Sequence, residues 1–189
     1  VHTGVYVNQP GGGEARIPVN DDQRFGLAQH HSATHLLNAS LRNELGEHVR
    51  QAGSLVDINR LRFDFTHGNS ISIEQLKTIN DQVNQWIDEN HSIHISEEPI
   101  EAAKSRGAIA MFGEKYDDIV RVVDIPNVSM ELCGGTHVRQ TNHLQAFQII
   151  SEGTIAAGTR RIEALVGEKR VTEWKFKQKD QAFKQYIQK

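Results

Sequence analysis

The sequence predicts an α+β fold, with a mixed or antiparallel sheet packed by helices. Two observations carry that expectation. Apolar residues recur at helical spacing in two long segments and alternate in others, and the two patterns follow one another without strict alternation. No internal repeat or low-complexity tract interrupts them.

Residues 1–20 read as two short strands, Gly4–Val7 and Ala15–Val19, around the turn Pro10-Gly11-Gly12-Gly13. Such a hairpin is marginal alone, so it reads as the remnant of a preceding β-rich linker domain. Asp21 or Asp22 is placed to cap a helix running to Leu45 and stopped by Gly46. Phe25, Ala28, Leu36, Leu37, Leu41 and Leu45 form its apolar stripe. Ser54–Val56 and Leu61–Phe65 follow as strands. In the second, Leu61, Phe63 and Phe65 share one face, and Arg62 and Asp64 the other. Ser72 with Gln75 makes a capping box for a helix whose buried stripe runs from Ile73 through Leu76, Ile79 and Val83 to Trp86 and Ile87. Further strands are expected at Ser92–Ile95, Ile119–Ile125, Ala146–Ser151 and Arg161–Val166. A short helix is expected over Ile100–Arg106. A final helix starts near Glu168, so that 21–166 form the main domain and 167–189 begin a helical connector.

Composition bounds the function. The 189 residues can bury roughly 70% of the unfolded surface without a disulfide, and Cys133, the sole cysteine, could form none within the chain. Hydrophobic residues at 38% and charged residues at 24% describe a soluble chain, with no apolar run long enough to span a membrane. The sequence opens at Val1 with no basic-then-apolar leader, which predicts a cytoplasmic fragment of a longer protein. A net charge of -3 excludes nucleic-acid binding by overall charge alone. Residues 158–189 nevertheless carry nine basic against four acidic side chains. That makes the tail a candidate for phosphate contact, or simply a solvated helix face.

Two short patterns carry chemistry. His31 and His35 stand one helical turn apart, the geometry a metal ion needs from a rigid helix. Cys133-Gly134-Gly135-Thr136-His137 offers a thiolate and a third imidazole, with glycines that let a tight loop aim both ligands at one point. Ten histidines in 189 residues give roughly half a His-x3-His pair by chance, so that pair alone says little. A histidine four residues after the lone cysteine has about a 5% chance, and the conjunction is what persuades. Zinc is the preferred ion because it takes imidazole and thiolate together. The plainer alternative is a capped surface His31, a core-facing His35 and an inert buried thiol. Three histidines and a cysteine would close a tetrahedral site. The ligand count alone therefore leaves open whether the metal activates water, orients substrate or braces the pocket. His30 lies on another helix face. His67, His91, His94 and His143 read as ordinary polar residues.

Several longer motifs, in order, resemble the editing domain of the alanyl-tRNA synthetase family. They are His30–Asn38, Gly46–Val56, Leu61–Phe65, Met111–Tyr116, Glu131–Val138 and Ala157–Ala164. The threonyl enzyme's editing domain shares the two metal motifs, and the fold is expected to be of that threonyl/alanyl type. The resemblance implies hydrolysis of tRNA for alanine wrongly charged with serine or glycine. It implies zinc ligands at His31, His35, Cys133 and His137, and a pocket glutamine at Gln51. Thr34 beside His35 is placed either to offer its hydroxyl to substrate or to bond the backbone one turn earlier. Arg160 and Arg161 are candidates for RNA phosphate or the terminal nucleotide. On a strand they face opposite ways, so at most one lines the pocket. Cys133 is read as a ligand and not a covalent nucleophile. The implied partners are the aminoacylated acceptor end of tRNA for alanine and the rest of a synthetase chain; ATP would serve only a separate synthetic domain. The alternatives are a free-standing trans-editing deacylase and a non-catalytic zinc module that binds RNA.

Overall fold

A computed structural model describes residues 20–110 and 115–187. The hairpin expected before residue 20 and the motif residues Met111–Glu114 lie outside the described residues. The structure is α+β, as expected, but its strands form two sheets and not one. Strands β1 (Gln51–Val56) and β2 (Leu61–Thr66) join β6 (Phe147–Ala156) and β7 (Thr159–Val166) in the order β1-β2-β7-β6. Strands β3 (His94–Pro99), β4 (Ile119–Ile125) and β5 (Ser129–Leu132) form the second sheet. Every ladder within them is antiparallel. Strand β5, not expected from sequence, follows β4 by a three-residue turn through Asn127 (φ 63°). Its four residues alternate too briefly to announce a strand in sequence.

Helix α1 (Asp21–Leu45) runs through the centre of the molecule. Its cap is Asn20, one residue before the aspartates expected there. The Asn20 side chain accepts from the Gln23 amide at 3.0 Å. Asparagine caps as well as aspartate does, and Asp21 and Asp22 then sit in the first turn, at the positive end of the helix dipole. Gly46 ends the helix at φ 113°, donating its N–H to the Arg42 carbonyl. Every residue from Ser32 to Leu41 is buried, so this stretch has no solvent face. It packs against α2 (Ile73–Glu89) and against the β1-β2-β7 face. Leu36, Leu37 and Leu41 meet Phe63, Phe65 and Phe147 in the core, all six fully buried. Burial of that kind stabilises by roughly 1.5–3 kcal/mol per side chain.

Two residues of the expected stripes lie outside. Ile73, the first residue of α2, is 81% exposed, and Phe25 is 46% exposed. The capping box at Ser72 and Gln75 forms as expected, and Ile79, Val83, Trp86 and Ile87 are buried. The third strand lies at His94–Pro99 and not at Ser92–Ile95, because Ser92 makes only an isolated bridge to Gln140. Helix α3 (Ile100–Ser105) packs on the second sheet. There Ala103, Val120, Val122 and Leu132 form a smaller apolar cluster. Helix α4 (Glu168–Ile187) docks its first turns on β6 and β7, where Val171 is buried, while Phe176 is exposed further along. Among the described residues, no helix is long and apolar enough to cross a membrane.

Candidate metal centre and adjoining cavity

The buried middle of α1 faces the loop that leaves β5. That loop is fixed at its start: the Cys133 amide donates to the Arg121 carbonyl at 3.0 Å, and Arg121 Nη1 donates to the Cys133 carbonyl at 2.7 Å. Gly135 then passes so close to α1 that a Cβ there would lie 1.9 Å from His31 Cε1. Only glycine allows this approach. Its result is that His31, His35, Cys133 and His137 bring one ligand atom each within 4.8 Å of one another. Cys133 Sγ lies 3.4 Å from Nε2 of both His31 and His137. A tetrahedral zinc with the usual bond lengths would put nitrogen and sulfur about 3.5 Å apart.

The surroundings suit a cation. Nε2 of His35 is buried and makes no hydrogen bond, and a bound metal would satisfy it. Nδ1 of His35 lies 2.9 Å from Glu131 Oε2. Asn38 Nδ2 and Ser129 Oγ hold the other Glu131 oxygen at 3.0 and 2.8 Å. Ser32 Oγ sits 3.3 Å from His137 Nδ1 and accepts from the Val138 amide at 3.1 Å. The carboxylate behind His35 and the hydroxyl behind His137 fix those two rings and turn the other nitrogen of each toward the place an ion would take. Charge follows the same plan. Burial favours the neutral Cys133 thiol, but hydrogen bonds from His137, His31 and His35 outweigh it and take the pKa down to about 3. Burial also opposes charge on His35, yet Glu131 raises its pKa to about 10. Burial lowers that of His137 to about 4. These four side chains can hold a metal ion. Glu131 and Ser32 were not singled out from sequence; the one available signal was the position of Glu131 two residues before Cys133, on an alternating strand.

Beside Glu131 lies a small cavity of about 20 Å³, lined among others by Asn38, Arg42, Val49, Arg50 and Gln51. A register shift between Gln51 and Gly53 interrupts the β1–β2 ladder there, a device that re-aims a side chain at a strand end. Gln51 thus reaches the cavity, with its Nε2 donating to Ser54 Oγ at 3.1 Å. Asn38 Oδ1 is buried without a partner. Thr34 stands differently: its hydroxyl donates to the His30 carbonyl at 2.9 Å and is buried, so its proton is used inside the helix. Arg160 and Arg161 face opposite sides of β7, as expected, and neither is free. Arg160 pairs with Glu152 and Thr154, and Arg161 forks onto both oxygens of Asp64 at 2.7 and 2.8 Å.

Residues 120–163 match the threonyl and alanyl tRNA synthetase second additional domain. Over 157 residues, 83% of this chain, it is 53% identical to the alanine–tRNA ligase of Prochlorococcus marinus (strain AS9601), covering 18% of that protein. Over this region the chain belongs with the alanine–tRNA ligases. That of Thermosynechococcus vestitus is 56% identical over 144 residues, 76% of the chain and 16% of the relative. The chain therefore spans under a fifth of the length of these relatives.

Proposed function

We propose that this chain is an editing domain, residues 21–166, that hydrolyses the ester joining serine or glycine to tRNA for alanine, in the cytoplasm and as part of a synthetase. The observation that carries the reading is the cavity of Gln51, Asn38, Arg42 and Arg50 meeting the metal centre at Glu131. Zinc is the ion these ligands suit, held by His31, His35, Cys133 and His137, and it would supply a Lewis acid beside the ester.

The chain's own groups do the rest. Gln51 keeps its amide oxygen available while Nε2 is occupied by Ser54, and it positions the amino acid or the attacking water. Thr34 contributes by bracing the turn that carries His31 and His35. Glu131, held ionised by His35, gives the site a fixed negative charge behind its ligands. Discrimination by a second site is needed because a pocket for alanine rejects glycine by only about 1 kcal/mol and rejects an added hydroxyl poorly. A site that hydrogen-bonds the serine hydroxyl does better, since alanine leaves that partner unpaired.

The test is release of the amino acid from serine-, glycine- and alanine-charged tRNA for alanine by the zinc-loaded chain. Serine and glycine esters should be cleaved well above the water rate and the alanine ester spared. Equal rates for all three would end the editing reading, and no turnover would leave a non-catalytic RNA-binding module.

A further inference from the structure

Arg42 and Arg50 stand out among the arginines. Like Arg24, Arg121, Arg139 and Arg170, but unlike Arg60, Arg62, Arg106, Arg160 and Arg161, which each pair with a carboxylate, Arg42 and Arg50 make no ion pair among the described residues. Both guanidiniums are bound instead to the same two backbone carbonyls. Arg42 Nη1 donates to the Glu47 carbonyl at 3.2 Å and the Val49 carbonyl at 2.9 Å. Arg50 Nη1 donates to the Val49 carbonyl at 3.0 Å and also to that of Glu47. Because both Nη1 atoms lie within 3.0 Å of one oxygen, they are at most about 6 Å apart, where like charges repel. The loop that ends α1 and starts β1 thus holds two cations together, and both line the cavity beside the metal centre. Neutral carbonyls position the pair without cancelling its charge, and the remaining guanidinium nitrogens are left to donate.

Resting on the editing reading, we propose that Arg42 and Arg50 form a clamp for a phosphodiester of the RNA 3′ end, setting its terminal ester against the metal centre. The doubly charged, fork-shaped donor set suits a phosphate oxygen pair. It takes the role that Arg160 and Arg161 are too committed to fill. It also explains how a chain of net charge -3 meets RNA locally.

The experiment uses the zinc-loaded chain and an unacylated acceptor-stem minihelix with a fluorescent 5′ label, titrated by anisotropy from 0.05 to 0.2 M salt. The R42Q/R50Q variant should bind at least tenfold more weakly, with its log-affinity against log-salt slope reduced by about two. The exposed-site variant R50Q should lose several-fold and about one unit of slope, and R42K/R50K should restore most of the slope. K175Q/K177Q, which removes the same charge from α4, should cost less. Full affinity and slope in folded R42Q/R50Q would overturn the clamp, as would an equal loss in K175Q/K177Q. Should R42Q/R50Q not fold, R50Q decides alone, and unchanged affinity and slope in it overturn the clamp. These outcomes are independent of the editing reading, which stands or falls on ester release by the unaltered chain.

Discussion

At the scale of single residues, the candidate metal centre depends on a side chain that is missing and on a carboxylate outside the four candidate ligands. A methyl group at Gly135 would overlap His31, whereas one at Gly134 would meet nothing within 4 Å. G135A is therefore expected to weaken metal binding at least tenfold in chelator competition and G134A to leave it nearly unchanged. Equal effects would show that the close approach is unimportant. Glu131 orients His35, and loss of such an outer partner typically costs 10–100-fold in metal affinity. E131Q, which keeps shape and removes charge, should show a loss of that order with little change in the apo-protein's melting; unaltered affinity would count against the arrangement. His30 has a separate consequence. Burial lowers its pKa from 6.5 to about 4, assisted by Arg170 and opposed by the bond from Nδ1 to the Gly26 carbonyl. The unfolded chain therefore takes up this proton first as pH falls. The contribution is complete above about pH 6.5 and is lost progressively toward pH 4, up to about 3 kcal/mol. Denaturant unfolding at saturating metal should show less loss on acidification in H30Q than in the unaltered chain. Parallel pH profiles would remove His30 as the cause.

At the scale of elements, β2 and β7 are joined by side chains as well as by their ladder. Asp64 and Arg161 stand opposite each other in the register, and the fork between them is half-buried. Hydrogen bonds from Arg161 lower the Asp64 pKa against the opposing effect of burial. A lowered carboxylate stabilises the fold above its unfolded pKa and ceases to as pH falls through the folded one. D64N should accordingly cost roughly 1–3 kcal/mol at pH 7, and its difference from the unaltered chain should shrink toward pH 3; a constant difference would mean that packing and not charge is responsible. This pair also shows what the sequence could and could not reveal. Alternation placed Arg161 on a strand beside Arg160 facing the other way, but nothing local named Asp64, 97 residues earlier, as its partner. The capping box of α2, the whole of β4 and the start of α4 were legible because caps and periodicity are local signals. Phe25 and Ile73 had the right spacing for burial, yet what covers a helix face is decided by distant elements. The four residues that could hold a metal were legible as two motifs, while Ser32, Asn38 and Glu131 support them through contacts that only the fold creates.

At the scale of the whole molecule, the four ligands connect the central helix to the loop beyond the second sheet. His35 and Cys133 are far apart in sequence, and the second sheet is shared between two apolar clusters, with Val123 and Ile125 in the main core and Val120, Val122 and Leu132 in the smaller one. A metal ion bound here would add a tie between the segment carrying Leu132 and Cys133 and the core carrying Leu36 and Phe63, which are otherwise joined by the packing of Val123 and Ile125 and by hydrogen bonds such as Asn38 to Glu131. An ion that binds only the folded chain stabilises it by about 2.7 kcal/mol when free ion is a hundredfold above its dissociation constant. For a domain of this size that corresponds to roughly 5–11 °C in melting temperature. Stripping the metal should lower the melting temperature by about that much, zinc should restore it, and magnesium, which prefers oxygen ligands, should not. Hydrogen exchange on the stripped chain should quicken first at 133–138 and in the middle of α1, while Phe63, Phe65 and Phe147 hold β2 and β6 protected. C133A should abolish the response to zinc at both readouts. If chelation leaves melting and exchange unchanged, the cluster is an ordinary network of buried histidines, and the case for a metal-dependent ester hydrolase fails with it.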